Sequence, residues 1–202
     1  FDIEVHGAEA LKESLHQHAG ALLVGAHLGS FEVLRAMGRD RAGLRVAMLM
    51  YEENARKLNA TLAAINPKAL QDIIPLGRLE SMLEVRDKLD AGYVVGMLAD
   101  RSLGGDTTQE AEFLGHNAAF PIGAWRMMAM LKRPVFFMTG LYLGGNRYSI
   151  HFEPLADFSG VDRANRDAAI AAAVRLYADC LTRYCQRAPY NWFNFFDFWQ
   201  KK

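Results

Sequence analysis

Short runs of consecutive apolar residues constrain the fold of this chain more than any other feature of its sequence. Three such runs, within residues 21–26, 45–51 and 93–99, are separated by longer stretches in which apolar residues recur with helical spacing. A strand that is apolar at every position, rather than at alternate positions, has to be buried on both faces of its sheet. The pattern therefore predicts an α/β fold with a mixed, largely parallel sheet flanked by helices on both faces.

The remaining elements follow from the same periodicities and from turn residues. Gly144, Gly145 and Asn146 predict a hairpin turn, so the sheet should gain antiparallel strands late in the chain. Pro121 suits the start of a helix, and residues 102–108 are rich in turn formers. We predict strands at 21–26, 45–51, 72–75, 93–99, 134–143 and 147–152, and helices at 8–18, 31–38, 52–65, 80–89, 121–132 and 162–186.

Composition limits the class of protein and of partner. A chain of 202 residues, 51% of them hydrophobic, can bury one core, so residues 1–202 are predicted to form a single domain. The 23 basic and 23 acidic residues leave no basic surplus, which argues against a nucleic-acid partner. Cys180 and Cys185 would point to different faces of a helix and lack metal-site spacing, so we expect free core thiols of a reducing compartment.

Residues 25–32 (GAHLGSFE) hold a histidine and a glutamate five positions apart, directly after the first apolar run. Gly29 permits a tight turn, and Ser30 suits the N-cap of the helix predicted to follow. The turn can bring the Glu32 carboxylate to the His27 ring, which fixes the tautomer and leaves the other ring nitrogen to take a proton from a hydroxyl. The same residues also fit a strand end followed by a helix start, so spacing alone leaves both interpretations open.

Five short segments carry further motifs in a fixed order. Residues 5–9 (VHGAE) and 22–32 (LLVGAHLGSFE) resemble a G-x-E segment leading into H-x-G-x-W-E. Residues 91–101 (AGYVVGMLADR) resemble a strand that ends in an acidic turn. Residues 113–123 (FLGHNAAFPIG) and 188–192 (APYNW) are similar to an F-F-G and P-x-G segment and to a closing P-x-x-W. In this order the motifs resemble the lysophospholipid acyltransferase superfamily, and more closely the bacterial lipid A late acyltransferases that transfer lauroyl and myristoyl groups.

The resemblance covers nearly all of the chain and implies a single acyltransferase domain with a glycerolipid-acyltransferase-like fold. It implies His27 as the general base and Glu32 as the carboxylate that orients it. It also implies substrate-binding roles at five further positions and requires no metal and no organic cofactor. Of these, Arg101 would hold a phosphate of the acceptor or carrier, Asp100 would brace the loop, and the others would shape the wall of the acyl or acceptor pocket. The five positions are Asp100, Arg101, Gly115, Pro121 and Gly123.

The same resemblance implies a reaction, partners and a location. A fatty acyl group would move from a thioester of acyl carrier protein, or of coenzyme A, to a hydroxyl or amine of a lipid or glycolipid such as a lipid A precursor. The protein would work at the cytoplasmic face of the bacterial inner membrane and contact that membrane peripherally. The first residue is Phe1 and not methionine, which is compatible with removal of the N-terminal membrane-anchoring segment of the family.

Two departures from the family pattern keep the acceptor open. Phe31 stands where the family usually has tryptophan, and Arg101 stands where the lipid A enzymes commonly have glutamine. The Asp-Arg pair at this position resembles the pattern of the glycerolipid acyltransferases. An ornithine-type or polyene-type lipid or another glycolipid is therefore an alternative acceptor. A non-catalytic module that binds acyl chains or acyl carrier protein, and a thioester hydrolase dependent on Ser30, are the alternative functions.

Overall fold

The structure, a computed structural model, describes residues 1–30, 33, 44–51, 73–76, 79–101 and 105–199. Nine strands and four helices lie in these residues. The helices are α1 (Ala8–Gln17), α2 (Leu79–Asp90), α3 (Gly123–Leu131) and α4 (Arg166–Arg187). The strands are β1 (Asp2–His6), β2 (Ala21–Gly25), β3 (Val46–Tyr51), β4 (Ile73–Leu76), β5 (Val94–Leu98), β6 (Thr108–Phe113), β7 (His116–Pro121), β8 (Pro134–Tyr142) and β9 (Arg147–Asp157).

Seven of the described strands form one sheet in the order β1-β9-β8-β2-β5-β3-β4. Neighbouring strands are parallel throughout, except that β8 and β9 form an antiparallel pair. This arrangement confirms the predicted mixed, largely parallel sheet and its late antiparallel strands. A parallel neighbour needs a crossover connection, whereas β8 and β9 are joined by the predicted glycine-rich turn.

The sheet is buried on both faces, as the continuous apolar runs predicted. In β2, Leu22 and Val24 belong to one apolar core, whereas Leu23 belongs to a second core on the opposite face. In β8, Phe137 and Phe136 divide in the same way. Successive side chains of a strand point to opposite faces, so a strand that is apolar at every position supplies both cores at once.

Helices cover each face and confirm the predicted layers. Leu11 of α1 belongs to the smaller core, and α1 packs against β9 and β2. The larger core takes Val85 from α2, Met128 from α3 and Val174 from α4. Each of these side chains is less than 2% exposed. The long helix α4 therefore lies on the face of the sheet opposite to α1.

Most predicted elements are confirmed within a few residues, and α4 shows why boundaries shift. The helix was predicted from residue 162 but begins at Arg166. The Asp162 carboxylate accepts a hydrogen bond from the backbone N–H of Asn165 at 2.8 Å. Aspartate side chains can bond nearby backbone groups in place of helical bonds, which favours a turn before the helix. The helices predicted at 31–38 and 52–65 lie outside the described residues, apart from residue 33.

The hairpin β6–β7 and the edge strand β1 were not predicted. Residues 108–113 follow a turn-rich stretch and are apolar at only two positions, and four of the five residues of β1 are exposed. Leu114 and Gly115, with φ of 51° and 82°, form the two-residue turn of the hairpin. Pro121 was wrongly predicted to begin a helix: it ends β7, and α3 begins at Gly123.

The four helices also bear on membrane insertion. No helix in the described part of the chain is long and apolar enough to cross a membrane. The longest, α4, spans 22 residues and carries charged residues along its length.

Truncation of Phe136 or of Phe137 to alanine should each destabilise the protein by about 3–5 kcal/mol, because each deletes a buried ring from a different core. The free energy of unfolding, measured by urea titration, tests both changes. Leu176→Ala on α4, where the side chain is 50% exposed, is the control and should change stability by less than about 0.5 kcal/mol. A loss at only one of the two phenylalanines would contradict a sheet with two buried faces.

His151 in β9 makes stability depend on pH. Its ring stacks on His6 with centroids 4.6 Å apart and lies 2.8 Å from the Ser149 hydroxyl. Burial is the main cause that lowers the pKa of His151 from 6.5 to about 4, and the nearby His6 and Arg187 lower it further. The unfolded chain therefore binds one more proton than the native protein between these values, so the native state loses stability as pH falls from 6.5 to 4.

We expect His151→Gln to lose less stability than the wild type between pH 7 and pH 4.5, because glutamine does not titrate. Urea titrations of both proteins at the two pH values measure the difference. Other groups, among them Glu153, titrate in both proteins and cancel in the comparison. Equal losses in the two proteins would show that His151 is not held neutral in the fold.

Candidate active site

His27 and Asp100 follow two neighbouring parallel strands. Gly25, the last residue of β2, is paired with Leu98, the last residue of β5. Each of the two side chains comes two residues after that pair. The carboxyl ends of parallel strands meet at one edge of a sheet, which is where open α/β sheets place their ligand sites. The register of the two strands therefore brings His27 and Asp100 side by side.

The Asp100 carboxylate contacts His27 through both of its oxygens. Nδ1 of the His27 ring lies 2.9 Å from Oδ1, and the backbone N–H of His27 donates to Oδ2 at 3.1 Å. An ionised carboxylate only accepts hydrogen bonds, so Nδ1 carries a proton and the neutral ring keeps Nε2 as an acceptor. The Asp100 side chain is 1% exposed and that of His27 36% exposed. A buried carboxylate thus fixes the tautomer of a histidine that substrate can reach.

The turn after His27 is fixed by close contact with the end of β8. Gly29 has φ of 75°, and a Cβ at this position would lie 2.3 Å from the carbonyl oxygen of Gly140. Only glycine fits such a conformation at such a distance. The backbone N–H of Ser30 donates to the same Gly140 oxygen at 2.8 Å, and the Thr139 hydroxyl donates to the carbonyl of Leu28 at 3.0 Å.

A segment near the end of the described chain, residues 189–193, encloses the other side of this turn. The backbone N–H of Gly29 donates to the carbonyl of Asn191, and that of Phe193 donates to the carbonyl of His27, both at 2.8 Å. The Asn191 side chain accepts from the N–H of Tyr142 at 2.7 Å and donates to its carbonyl at 3.2 Å. The segment is therefore bonded both to the candidate site and to the end of β8.

Arg101 lies beside the pair and has unused hydrogen-bonding capacity. Its Nε is 4.0 Å from Oδ2 of Asp100, and its Nη2 donates to the carbonyl of Phe193. The guanidinium lies over the Phe196 ring, 5.7 Å from the centroid. Nε is buried and makes no hydrogen bond within the described residues. With its side chain 35% exposed, Arg101 can offer its remaining donors to an anion.

Helix α4 contacts the end of β2, two residues before His27. The Tyr177 hydroxyl donates to the carbonyl of Gly25 at 2.8 Å, which ties the helix to the end of β2. Burial, followed by the negative charge of Asp100, raises the pKa of Tyr177 and raises that of Cys185 to about 12. Burial likewise raises the pKa of Cys180 to about 11. Both cysteines are buried free thiols, as predicted, and both stay protonated at neutral pH.

A cavity of about 310 Å³ opens at the carboxyl ends of β3, β4 and β5. Ala99 and Arg101, on either side of Asp100, line it together with Pro121 and Gly123. Gly115 is not among the described lining residues, because it lies in the turn beyond the far end of β7, a strand that spans roughly 17 Å from His116 to Pro121 at ~3.4 Å per residue. Most of the other lining residues are apolar: Leu49, Leu76, Met82, Met97, Leu98, Ala124 and Met127.

The structure brings together three of the predicted site residues: His27, Asp100 and Arg101. Glu32, predicted to orient His27, lies outside the described residues; among the residues that the structure describes, Asp100 supplies the carboxylate that contacts the His27 ring. The sequence predicted that both residues follow parallel strands, but not that these two strands are neighbours in the sheet. Asn191 was not predicted as a site residue, and its position after the last helix gives no local sign of contact with residue 29.

Comparison with known proteins shows to which family the chain belongs. No curated protein matches the chain. A sequence model described as bacterial lipid A biosynthesis acyltransferase matches residues 2–201, which include every residue of the site. The resemblance inferred from the five motifs is therefore confirmed over nearly the whole chain. The chain belongs to the bacterial lipid A biosynthesis acyltransferase family and is an acyltransferase.

Proposed function

We propose that the protein transfers a fatty acyl group from the thioester of acyl carrier protein to a hydroxyl of a lipid A precursor, at the cytoplasmic face of the bacterial inner membrane. Coenzyme A as donor, and an amine or another lipid or glycolipid as acceptor, are the alternatives within the same chemistry. The observation that carries the proposal is the 2.9 Å contact between Nδ1 of His27 and the buried Asp100 carboxylate. This contact leaves Nε2 available as a general base.

The reaction needs no nucleophile from the protein. Nε2 of His27 takes the proton of the acceptor hydroxyl as its oxygen attacks the thioester carbonyl carbon. The tetrahedral intermediate collapses, the C–S bond breaks, and the imidazolium returns the proton to the leaving thiolate. Asp100 stabilises the imidazolium while it exists, which is the role of the carboxylate in histidine-dependent acyl transfer. The products are an ester and a free thiol, so atoms and charge balance.

Arg101 and the cavity supply binding groups beside this centre. The Arg101 side chain is 35% exposed and can donate to a phosphate of the acceptor or of the carrier's prosthetic group. The cavity is predominantly apolar and begins one residue from Asp100, which suits the acyl chain. In this arrangement Pro121 and Gly123 shape its wall. Gly115 would affect the cavity through the conformation of the hairpin turn and would not contact the acyl chain.

Glu32 is a second proposed carboxylate. Its predicted place in the first turn of a helix after His27 would bring it near the same ring. Since Nδ1 is already occupied by Asp100, we propose that Asp100 orients the ring and that Glu32 contributes charge near the imidazolium. The two roles can be separated by replacing each carboxylate with its amide, because loss of the orienting carboxylate should lower kcat more than loss of the other.

His27→Ala should lower kcat/KM by about 100- to 10,000-fold, because the general base is lost. Asp100→Asn should lower kcat by roughly tenfold or more with little change in KM, because an amide can donate to Nδ1 and favour the wrong tautomer. Acyl transfer from labelled acyl carrier protein to bacterial lipid extract, followed by mass spectrometry of the product, measures both. His16→Ala, at an exposed position on α1, is the matched control and should keep full activity.

The same assay separates the two carboxylates and the alternative functions. If Asp100 orients His27, then Glu32→Gln should cost less in kcat than Asp100→Asn, and the reverse order would assign the orienting role to Glu32. Retained transfer in purified His27→Ala would contradict the mechanism. Thioester consumption that needs Ser30 and no acceptor would indicate a hydrolase, and acyl binding without turnover would indicate a binding module.

Ala124→Phe should shift the products towards shorter acyl chains, because the added ring occupies part of the apolar cavity. The product distribution from a mixture of acyl carrier proteins of different chain lengths, read by mass spectrometry, tests this. Ala168→Phe at the exposed start of α4 adds the same ring outside the cavity and serves as the control. An unchanged distribution in Ala124→Phe would place the acyl chain elsewhere.

A further inference from the structure

Exposed aromatic side chains are concentrated beside the candidate site. Tyr190 is 97% and Phe195 89% exposed, and Phe193 and Phe196 are each about half exposed. Tyr142 and Leu143, where β8 ends, are also exposed. These six residues are called the aromatic edge: Tyr142, Leu143, Tyr190, Phe193, Phe195 and Phe196. Contiguous exposed apolar residues of this kind mark an interaction surface, whereas single ones need no explanation.

The aromatic edge is part of the folded structure. Phe193 is bonded through its backbone to His27, and the segment that carries Tyr190 is bonded through Asn191 to Tyr142. On the far side, Trp192 and Phe198 pack edge-on against the buried ring of Phe113, at 5.1 and 5.2 Å between centroids. Contacts on both sides of Phe195 therefore anchor the segment that carries its exposed ring beside the site.

Other exposed large apolar residues among those described provide a contrast. Leu83, Met130 and Leu176 lie singly on α2, α3 and α4 and are 50–56% exposed. They lack exposed aromatic neighbours of their own within the same segment. These three helical positions therefore differ from the aromatic edge, where exposed apolar residues lie together.

The charges around the aromatic edge favour a lipid surface. Residues 188–196 (APYNWFNFF) contain no charged side chain. Arg101 contacts Phe193 and Phe196, and Arg147 donates to the carbonyl of Leu143. Arg187 precedes the segment and the exposed Asp197 follows it, so three basic side chains and one acidic side chain border the edge. Aromatic residues are enriched where proteins meet the membrane–water interface, and basic residues are attracted to anionic headgroups. Exposed rings bordered by arginines therefore match the chemistry of an anionic bilayer surface.

We propose that the aromatic edge inserts into the headgroup region of an anionic bilayer and holds His27 at the membrane surface. The inference rests on the proposed function, because an acceptor lipid that resides in the bilayer then reaches Nε2 without leaving it. A protein partner and a second copy of the chain are the other occupants that the test distinguishes.

The test measures binding of the 202-residue chain to vesicles of phosphatidylethanolamine and phosphatidylglycerol by sedimentation. Tyr190→Ser and Phe195→Ser are the variants, since neither residue belongs to the proposed catalytic machinery. Each should weaken partitioning by roughly tenfold, because each removes an aromatic ring that the membrane would bury. Leu83→Ser and Leu176→Ser remove comparable exposed apolar groups elsewhere and should bind as the wild type does. Wild-type binding should also fall at high salt and on vesicles without phosphatidylglycerol.

Three outcomes would overturn the proposal. Equal loss in the control variants would show unspecific adhesion. Intact vesicle binding with weakened binding of acyl carrier protein would make the aromatic edge a protein-docking surface. A dimer in sedimentation equilibrium that Phe195→Ser dissociates, with no effect on vesicle binding, would make it an interface between copies.

Failure of this inference is distinguishable from failure of the proposed function. Phe195→Ser should retain acyl transfer to an acceptor dispersed in detergent, because His27 and Asp100 are unchanged. His27→Ala should retain vesicle binding while it loses transfer. A Phe195→Ser protein that is inactive in detergent as well would overturn the separation between membrane contact and chemistry.

Discussion

Two hydrogen bonds join Asp100 to His27, 73 positions apart in the sequence, and they require the surrounding strands to hold the two residues in a fixed register. A buried carboxylate is costly unless its oxygens are bonded, and here Oδ2 receives the backbone N–H and Oδ1 faces the ring nitrogen. Both donors come from the same residue, so His27 has to hold its backbone and its side chain in register with β5. The parallel pairing of β2 and β5 imposes that register. The two cores on either face keep the two strands in place.

Two separate parts of the polypeptide hold the turn that follows His27. Gly140 at the end of β8 receives the Ser30 N–H, and Asn191 receives that of Gly29. Neither contact involves a side chain of the turn itself, so the conformation of the turn depends on the backbone of its neighbours. The left-handed conformation of Gly29 and its closeness to Gly140 explain why this position cannot carry a side chain.

The central strands of the sheet were predicted correctly because burial on both faces requires an apolar residue at every position of a strand. The hairpin β6–β7 has a weaker sequence signal, because half of its positions face outward and its turn consists only of Leu114 and Gly115. The site divides in a similar way. Local spacing singled out His27 as a candidate and the family resemblance implied its role as the base, whereas its contact with Asp100 depends on the order of strands in the sheet, which local spacing does not encode. Asn191 depends on the path of the chain after α4, for which no periodic pattern exists.

The bonds from residues 191 and 193 to residues 29 and 27 have a consequence for synthesis of the protein. The backbone partners that enclose the turn after β2 are translated about 160 residues after β2 itself. A nascent chain that has emerged only as far as α4 therefore lacks the groups that complete the histidine turn. The turn that carries His27 can therefore be completed only after residues 191 and 193 have been translated, when all the described strands of the sheet have already been made.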